Sequence, residues 1–264
     1  MKTPTLLGVP FDGASSFMRG AADAPARIRE ELRSPAGNAW SEGFVDVAAA
    51  GVMRDAGDID FSNVEWRAAI ETAVGRVCDD DGLPISLGGD HSISYPILRA
   101  LRPRHRRLTI LHLDAHPDLY DTFDGDRYSH ACPFARIMEE RLADRLVQVG
   151  IRAMTGHQRE QAQRFGVEVI DMHAWYGGRR PSVEGPLYLS LDLDGLDPAF
   201  APGVSHPEPG GLSTRDVLAM IHDIAGPLIG ADIVECNPAR DPTRLTARVA
   251  AKFVKEVVAR MLGA

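Results

Sequence analysis

Eight short runs rich in leucine and β-branched residues alternate along the chain with longer segments of helical period, and this alternation restricts the fold more than any other feature. Runs that are apolar almost throughout, such as Leu108 to Leu113 and Leu187 to Leu191, suit burial on both faces of a sheet, the environment of parallel strands between two helix layers. Strands are expected at Thr5 to Val9, Val45 to Ala48, Pro84 to Leu87, Leu108 to Leu113, Leu146 to Val149, Glu168 to Ile170, Leu187 to Leu191 and Ile229 to Glu235. Helices are expected at Ala24 to Arg33, Val64 to Asp79, Ser92 to Leu101, Pro133 to Asp144, Gly156 to Phe165, Thr214 to Ile224 and Pro242 to Met261. Ser213 reads as an N-cap, as does Asp241 ahead of Pro242. The fold class is α/β, three layers around a mostly parallel sheet of about eight strands.

No linker rich in Gly, Ser or Pro divides the 264 residues and no repeat is evident, so residues 1–264 read as one domain. Proline and glycine concentrate between Pro198 and Gly211, which predicts an irregular loop at the sheet's edge. The formal charge of −8 argues against a nucleic-acid partner, although part of it would be neutralised if carboxylates bind metal. Nothing approaches a membrane span, and Met1 to Gly8 lacks the features of a signal peptide. Cys78, Cys132 and Cys236 have no CxxC spacing and read as reduced thiols of a cytoplasmic protein. Cys132 lies two residues after a histidine of interest and is otherwise a small packing residue.

The chemistry starts where the apolar runs stop. In Leu111-His112-Leu113-Asp114-Ala115-His116-Pro117-Asp118, residues two apart share a face while the strand lasts, so Asp114, His116 and Asp118 can converge. In Leu189-Ser190-Leu191-Asp192-Leu193-Asp194 the same spacing sets two carboxylates together at the end of a strand fit for burial. Two buried like charges are costly unless cations neutralise them. Gly88-Gly89-Asp90-His91-Ser92 supplies a third such tip. Any one Asp alone would be a turn or cap residue. Four Asp and two His side chains at three apolar strand ends suit a pair of divalent ions such as Mn²⁺ and do not suit a closed zinc site. His112 shares the parity of Asp114 but lies deeper, and reads as a hydrogen-bonded core histidine, not a ligand.

These motifs, in this order, resemble the ureohydrolases of the arginase and agmatinase family, and the similarity runs from Gly8-Val9-Pro10-Phe11-Asp12 to Asp232-Ile233-Val234-Glu235-Cys236-Asn237-Pro238. The resemblance implies an arginase-like fold with two manganese ions, one held by His91, Asp114, Asp118 and Asp192, the other by His116, Asp114, Asp192 and Asp194. It implies that a bridging water, made acidic by the ions, attacks a guanidinium carbon to release urea. By the same resemblance Glu235 grips the guanidinium, and His130, in Tyr128-Ser129-His130-Ala131-Cys132, shuttles protons. It further implies a homo-oligomer, trimer or hexamer.

Two positions depart from the family pattern. Ala131 stands where Gly is usual, and Val204-Ser205-His206 stands where Thr-Gly-Thr is expected; His206 is open to lining the pocket, contacting substrate, or packing. The loop from Asp118 to His130 carries Tyr120 in place of the Asn that arginases use for the amino-acid end of arginine, which disfavours arginine. Asp121, Asp124 and Asp126, with Tyr120, Phe123 and Tyr128, suit a cationic or apolar tail such as that of agmatine, unless those Asp residues face solvent; Arg127 equally could take a carboxylate from a guanidino acid. The expected function is therefore a dinuclear-manganese amidinohydrolase taking agmatine to putrescine and urea. The alternatives are the same family acting on guanidinobutyrate, guanidinopropionate, arginine or formiminoglutamate, a single-zinc deacetylase of related fold, and a non-catalytic regulatory subunit.

Overall fold

The computed structural model describes residues 2–264. Its sheet has eight strands, β1 (Thr3–Val9), β2 (Arg54–Asp58), β3 (Gly82–Gly88), β4 (Thr109–Leu113), β5 (Arg145–Ile151), β6 (Glu168–Asp171), β7 (Leu187–Asp192) and β8 (Leu228–Val234). All are parallel, in the order β2-β1-β3-β8-β7-β4-β5-β6. Neighbouring residues on a strand sort to opposite faces. Leu6, Leu111 and Leu189 belong to one apolar cluster, and Leu7, Ile110 and Tyr188 belong to the other. Helices α1 (Ala24–Leu32), α7 (Thr214–His222) and α8 (Leu245–Met261) close the first face. Helices α2 (Trp66–Asp79), α3 (Ser94–Leu101), α4 (Pro133–Glu139) and α5 (Gly156–Phe165) close the second. A short α6 (Met172–Tyr176) packs on β5 and β6. The three layers match the expectation, and each central strand loses both faces to helices, as its unbroken apolar runs require.

Several expected elements move. Val45 to Ala48 is not a strand; Val47 is buried, and its N–H bonds Ala39 O in an irregular segment. The second strand lies instead at Arg54–Asp58, exposed at every residue on the sheet edge. Helix α4 stops at Glu139 because Arg141 takes a left-handed φ of 54° and the chain doubles back to bury Leu142. Asp241 does not cap Pro242: helix α8 starts at Leu245 after Arg244 at φ 58°, and the Asp241 carboxylate accepts from the N–H of Ala247. Ser213 caps α7 as expected, in a reciprocal box with Asp216. The Pro198 to Gly211 segment is irregular, but it does not sit at the edge of the sheet. It follows β7, pairs Val204 with Cys236 after β8, and buries Ala201, Val204 and Ser205 over the sheet's middle.

Candidate active site and metal centre

Four adjacent strands, β3, β8, β7 and β4, deliver the candidate residues from their carboxyl ends, where open parallel sheets bind ligands. Register levels them. Leu113 pairs with Leu191 and Asp192 with Val234, so Asp114 and Asp192 stand side by side with Glu235 one step further on. Asp118 (φ 50°) and Glu235 (φ 63°) occupy left-handed backbone conformations that non-glycine residues adopt at a cost, of the kind held in place at functional sites.

His91 Nδ1 is the focus of one half of the site. It is buried without a hydrogen-bond partner, yet Asp192 Oδ2, Asp118 Oδ2 and Asp114 Oδ2 lie 3.0, 3.1 and 3.2 Å away. His116 Nδ1 is the focus of the other, 3.1 Å from Asp194 Oδ2 and 3.4 Å from Asp114 Oδ1. Asp114 thus turns one oxygen to each histidine, as a carboxylate bridging two ions does. Asp192 divides differently: Oδ2 faces His91, and Oδ1 accepts from the N–H of Asp194 at 2.7 Å. Burial and the charges of Asp194 and Asp114 push the Asp192 carboxyl well above the usual range; burial and Asp114 push Asp194 to about 6. Burial works against a cationic ring at His91, but its three carboxylates outweigh it and raise the ring's pKa well above normal. Four carboxyl groups are buried together here, and the His91 imidazole nitrogen that has no hydrogen-bond partner points into them. These residues fit a pair of divalent ions.

Behind the ligands stands a hydrogen-bond relay that the sequence motifs did not announce. The buried Asp232 carboxylate accepts from three hydroxyls, Ser190 Oγ at 2.7 Å, Tyr188 OH at 2.6 Å and Ser94 Oγ at 2.7 Å. Ser190 has one proton and gives it to Asp232, so toward His91 Nε2, 2.9 Å away, the serine accepts. That network assigns the hydrogen to Nε2 and leaves Nδ1 free to ligate. His112 is the core histidine expected: its Nε2–H bonds Asp114 Oδ2 at 2.8 Å, and its Nδ1 lies 3.0 Å from Gln148 Nε2.

Glu235 and His130 face the same space. Glu235 Oε1 accepts from the N–H of His91 at 3.0 Å and pairs with His130 Nδ1 at 2.9 Å; His130 Nε2 is 2.8 Å from Ser16 Oγ. Burial disfavours the imidazolium, but Glu235 more than offsets it and lifts His130 to about 9. A cavity of about 160 Å³ opens here, lined by Ser16, His116, Tyr120, Phe123, Gln158, His206, Asp192, Asp194 and Glu235, among others. His206 lines it, its ring 5.2 Å from His130 and 6.2 Å from His116. Ala131 also lines it, and is not among the residues with positive φ, so a side chain is accommodated where Gly is usual. Cys132 is fully buried, with a thiol that burial pushes up to about 12, and is a packing residue.

The acidic loop is arranged differently from the expectation. Asp121 is paired with Arg127 and Arg136, Asp126 accepts from the N–H of Tyr128, and Asp124 is exposed at the loop tip; none of the three lines the cavity. Arg127 is itself held by Asp121 and Glu139. The aromatic residues Tyr120 and Phe123 do line it. The loop's carboxylates therefore do not face a cationic tail in the cavity, and Arg127 is engaged elsewhere than with a substrate carboxylate.

Comparison with known proteins completes the assignment. The model of the arginase family matches residues 2–259. The chain belongs to the arginase family. It is 46% identical to a protein named arginase 1, mitochondrial, from Arabidopsis thaliana, over 97% of this chain and 80% of that one. It is 34% identical to a guanidinobutyrase from Pseudomonas aeruginosa, over 97% and 86%. The structure of an arginase from Medicago truncatula superposes with a TM-score of 0.92 at 44% identity, covering 98% and 87%. This arginase-family chain is a ureohydrolase acting on guanidino carbon–nitrogen bonds. Among the described residues, no helix is long and apolar enough to cross a membrane.

Proposed function

We propose that this arginase-family chain is a dinuclear-manganese amidinohydrolase that converts arginine to urea and ornithine. The observation that carries the dinuclear reading is Asp114, which offers one oxygen to His91 and the other to His116 beside the cavity that holds His130 and Glu235. The divided carboxylate supports two ions and counts against a single-zinc deacetylase. His91, Asp114, Asp118 and Asp192 would hold one ion, and His116, Asp114, Asp192 and Asp194 the other. Two such ions acidify water and so supply a nucleophile near neutral pH.

The protein's own residues account for the remainder. Glu235 has Oε1 committed to His91 and His130, which leaves Oε2 to accept from the guanidinium. Water oxygen bonds to the guanidinium carbon, the carbon–nitrogen bond to the alkyl amine breaks, and His130 carries the proton to that nitrogen. Ser16, bonded to His130 Nε2, is on the route by which the ring is reprotonated.

Arginine is favoured by the 46% identity to a relative named arginase 1. Agmatine is a second reading, supported by the lining itself: Arg127 and Arg136 are paired, Arg152 is spent on the carbonyls of Gly150, Asp194, Gly195, Leu196 and Glu208, and among the described residues no Arg or Lys lines the cavity to meet an α-carboxylate. Gln158 bears on both readings, because its Oε1 serves the N–H of Thr155 and its Nε2 is available to a tail. The test is urea release from arginine, agmatine, guanidinobutyrate and guanidinopropionate with added Mn²⁺, with formamide release scored for formiminoglutamate. The highest kcat/KM is expected on arginine. No turnover of any of them by protein carrying two ions per chain would overturn the reading. Assembly as a trimer or hexamer, and a reducing compartment suited to three unpaired thiols, belong to the same proposal; sedimentation tests the first.

A further inference from the structure

The loop between Asp118 and His130 builds one wall of the cavity with Tyr120 and Phe123, yet it has little internal structure. Its ladder is a single antiparallel pair, Phe123 with Asp126, at 3.0 and 2.9 Å. The turn that closes it places Asp124 at φ 50° and Gly125 at φ 81°, the two positive angles of a tight hairpin. A lone two-stranded hairpin is marginal in water. Beyond that pair, among the described residues, the arms share no backbone bond until the N–H of Tyr120 reaches Ala131 O at 3.1 Å.

One side chain spans the gap. Arg136, on α4, is 2% exposed. Its Nη1 lies 2.7 Å from Asp121 O on one arm and 3.3 Å from Arg127 O on the other, and its Nη2 lies 2.9 Å from the Asp121 carboxylate. Its Nε is 2.9 Å from Glu139. Arg127 closes the ring from the solvent side, 3.1 Å from Asp121 and 2.9 Å from Glu139.

We propose that Arg136 is a positioning residue for substrate selection: its buried guanidinium stands in for the missing rungs of the hairpin and so sets where Tyr120 and Phe123 meet the tail of the substrate. This deepens the proposed function and rests on the cavity being the guanidino site. The geometry explains why the residue is arginine. A rigid planar fork reaches two carbonyls and a carboxylate together, whereas an ammonium is one compact point of charge. The clamp also neutralises Asp121, which keeps the wall of the cavity free of net charge beside the tail. Arg136 touches neither the metal-site residues nor the cavity in the contacts above, so its effect reaches substrate through the loop.

Arg136→Met in the full-length, manganese-loaded protein removes the fork and keeps the apolar stem. Hydrogen exchange at residues 122–127 should rise by about tenfold or more as the hairpin opens more often. KM for arginine should rise about tenfold, since a loosened wall loses tail contacts that bind ground state and transition state alike, with kcat within about threefold and two ions still bound. Arg136→Lys keeps a buried positive charge, guards against a folding failure, and should shift both quantities in the same direction by less. Faster loop exchange with unchanged KM would overturn the proposal, and so would unchanged exchange. If the unaltered chain releases no urea, the functional reading and the selection role fall together, while exchange still shows whether the clamp exists.

Discussion

Replacing Ser190 by alanine removes one hydroxyl that touches no substrate, and it should nonetheless weaken metal binding at the His91 half of the site. With manganese on Nδ1, the ring must keep its hydrogen on Nε2, and Ser190 Oγ at 2.9 Å is the acceptor of that hydrogen in a pocket where His91 has no exposure. Without it, the ligating tautomer leaves a buried N–H unsatisfied, at about 1–3 kcal/mol. The metal-free chain escapes most of that cost by giving up the Nε2 hydrogen and keeping the one on Nδ1, where three carboxylate oxygens wait within 3.2 Å. The difference falls on binding: at about 1.4 kcal/mol per tenfold, the affinity drops by roughly 5- to 150-fold, which brackets the effect usual for residues that orient metal ligands. Calorimetric titration of metal-free Ser190→Ala with Mn²⁺ reads this directly. One ion should bind as in the unaltered chain and the other more weakly; the metal-free melting temperature should also fall, because Tyr188 and Ser94 donate to Asp232 Oδ2 while Ser190 is the donor to Oδ1. Two ions bound with unaltered affinity would refute the relay.

Asp192→Asn lowers the charge that holds the cations, and manganese content should fall below two per chain together with urea release; near-normal turnover would rule out the dinuclear assignment. A Cβ on Gly195 would stand 2.9 Å from both the backbone nitrogen and Cα of Asp114, so Gly195→Ala should cost about 1–3 kcal/mol in denaturant unfolding and weaken metal binding, and an unchanged transition midpoint would contradict it. Glu256, buried on α8, accepts from the N–H of Glu42, Lys252 Nζ and His222 Nε2. Burial raises its pKa, but these bonds outweigh burial and hold it below the ordinary 4.5. A lowered folded-state value means stabilisation present above pH 4.5 and lost as pH falls through that lower value. Thermal melts of Glu256→Gln should therefore show a smaller fall of melting temperature on acidification below pH 4.5 than the unaltered chain; parallel profiles would dismiss this contribution.

The central sheet was legible because burial on both faces leaves a strong mark: Leu187 to Leu191 is a strand in the sequence and in the structure, and the Asp residues beyond it project from its end. Arg54–Asp58 was not, since an edge strand with every residue exposed carries no apolar pattern, whereas Val45 to Ala48 shows such a pattern while packing without a ladder. Spacing along β4 and β7, with the Gly-Gly-Asp-His tip after β3, brought out the metal-binding candidates, and the structure places His91, Asp114, His116, Asp118, Asp192 and Asp194 near one another. Ser190 and Asp232 went unnoticed as partners because they meet only through the pairing of β7 with β8, 42 residues apart in sequence. Their shared signal was a polar residue inside an otherwise apolar strand. The loop acids misled for a related reason: whether Asp121 faces substrate or an arginine depends on Arg136, 15 residues later.

Diffraction from crystals grown with Mn²⁺, recorded at the manganese absorption edge, tests the central claim most directly. Two anomalous peaks are predicted, one within coordination distance of His91 Nδ1 and one within coordination distance of His116 Nδ1, both beside Asp114. A single peak, or none with these six side chains bonded only among themselves, would contradict it.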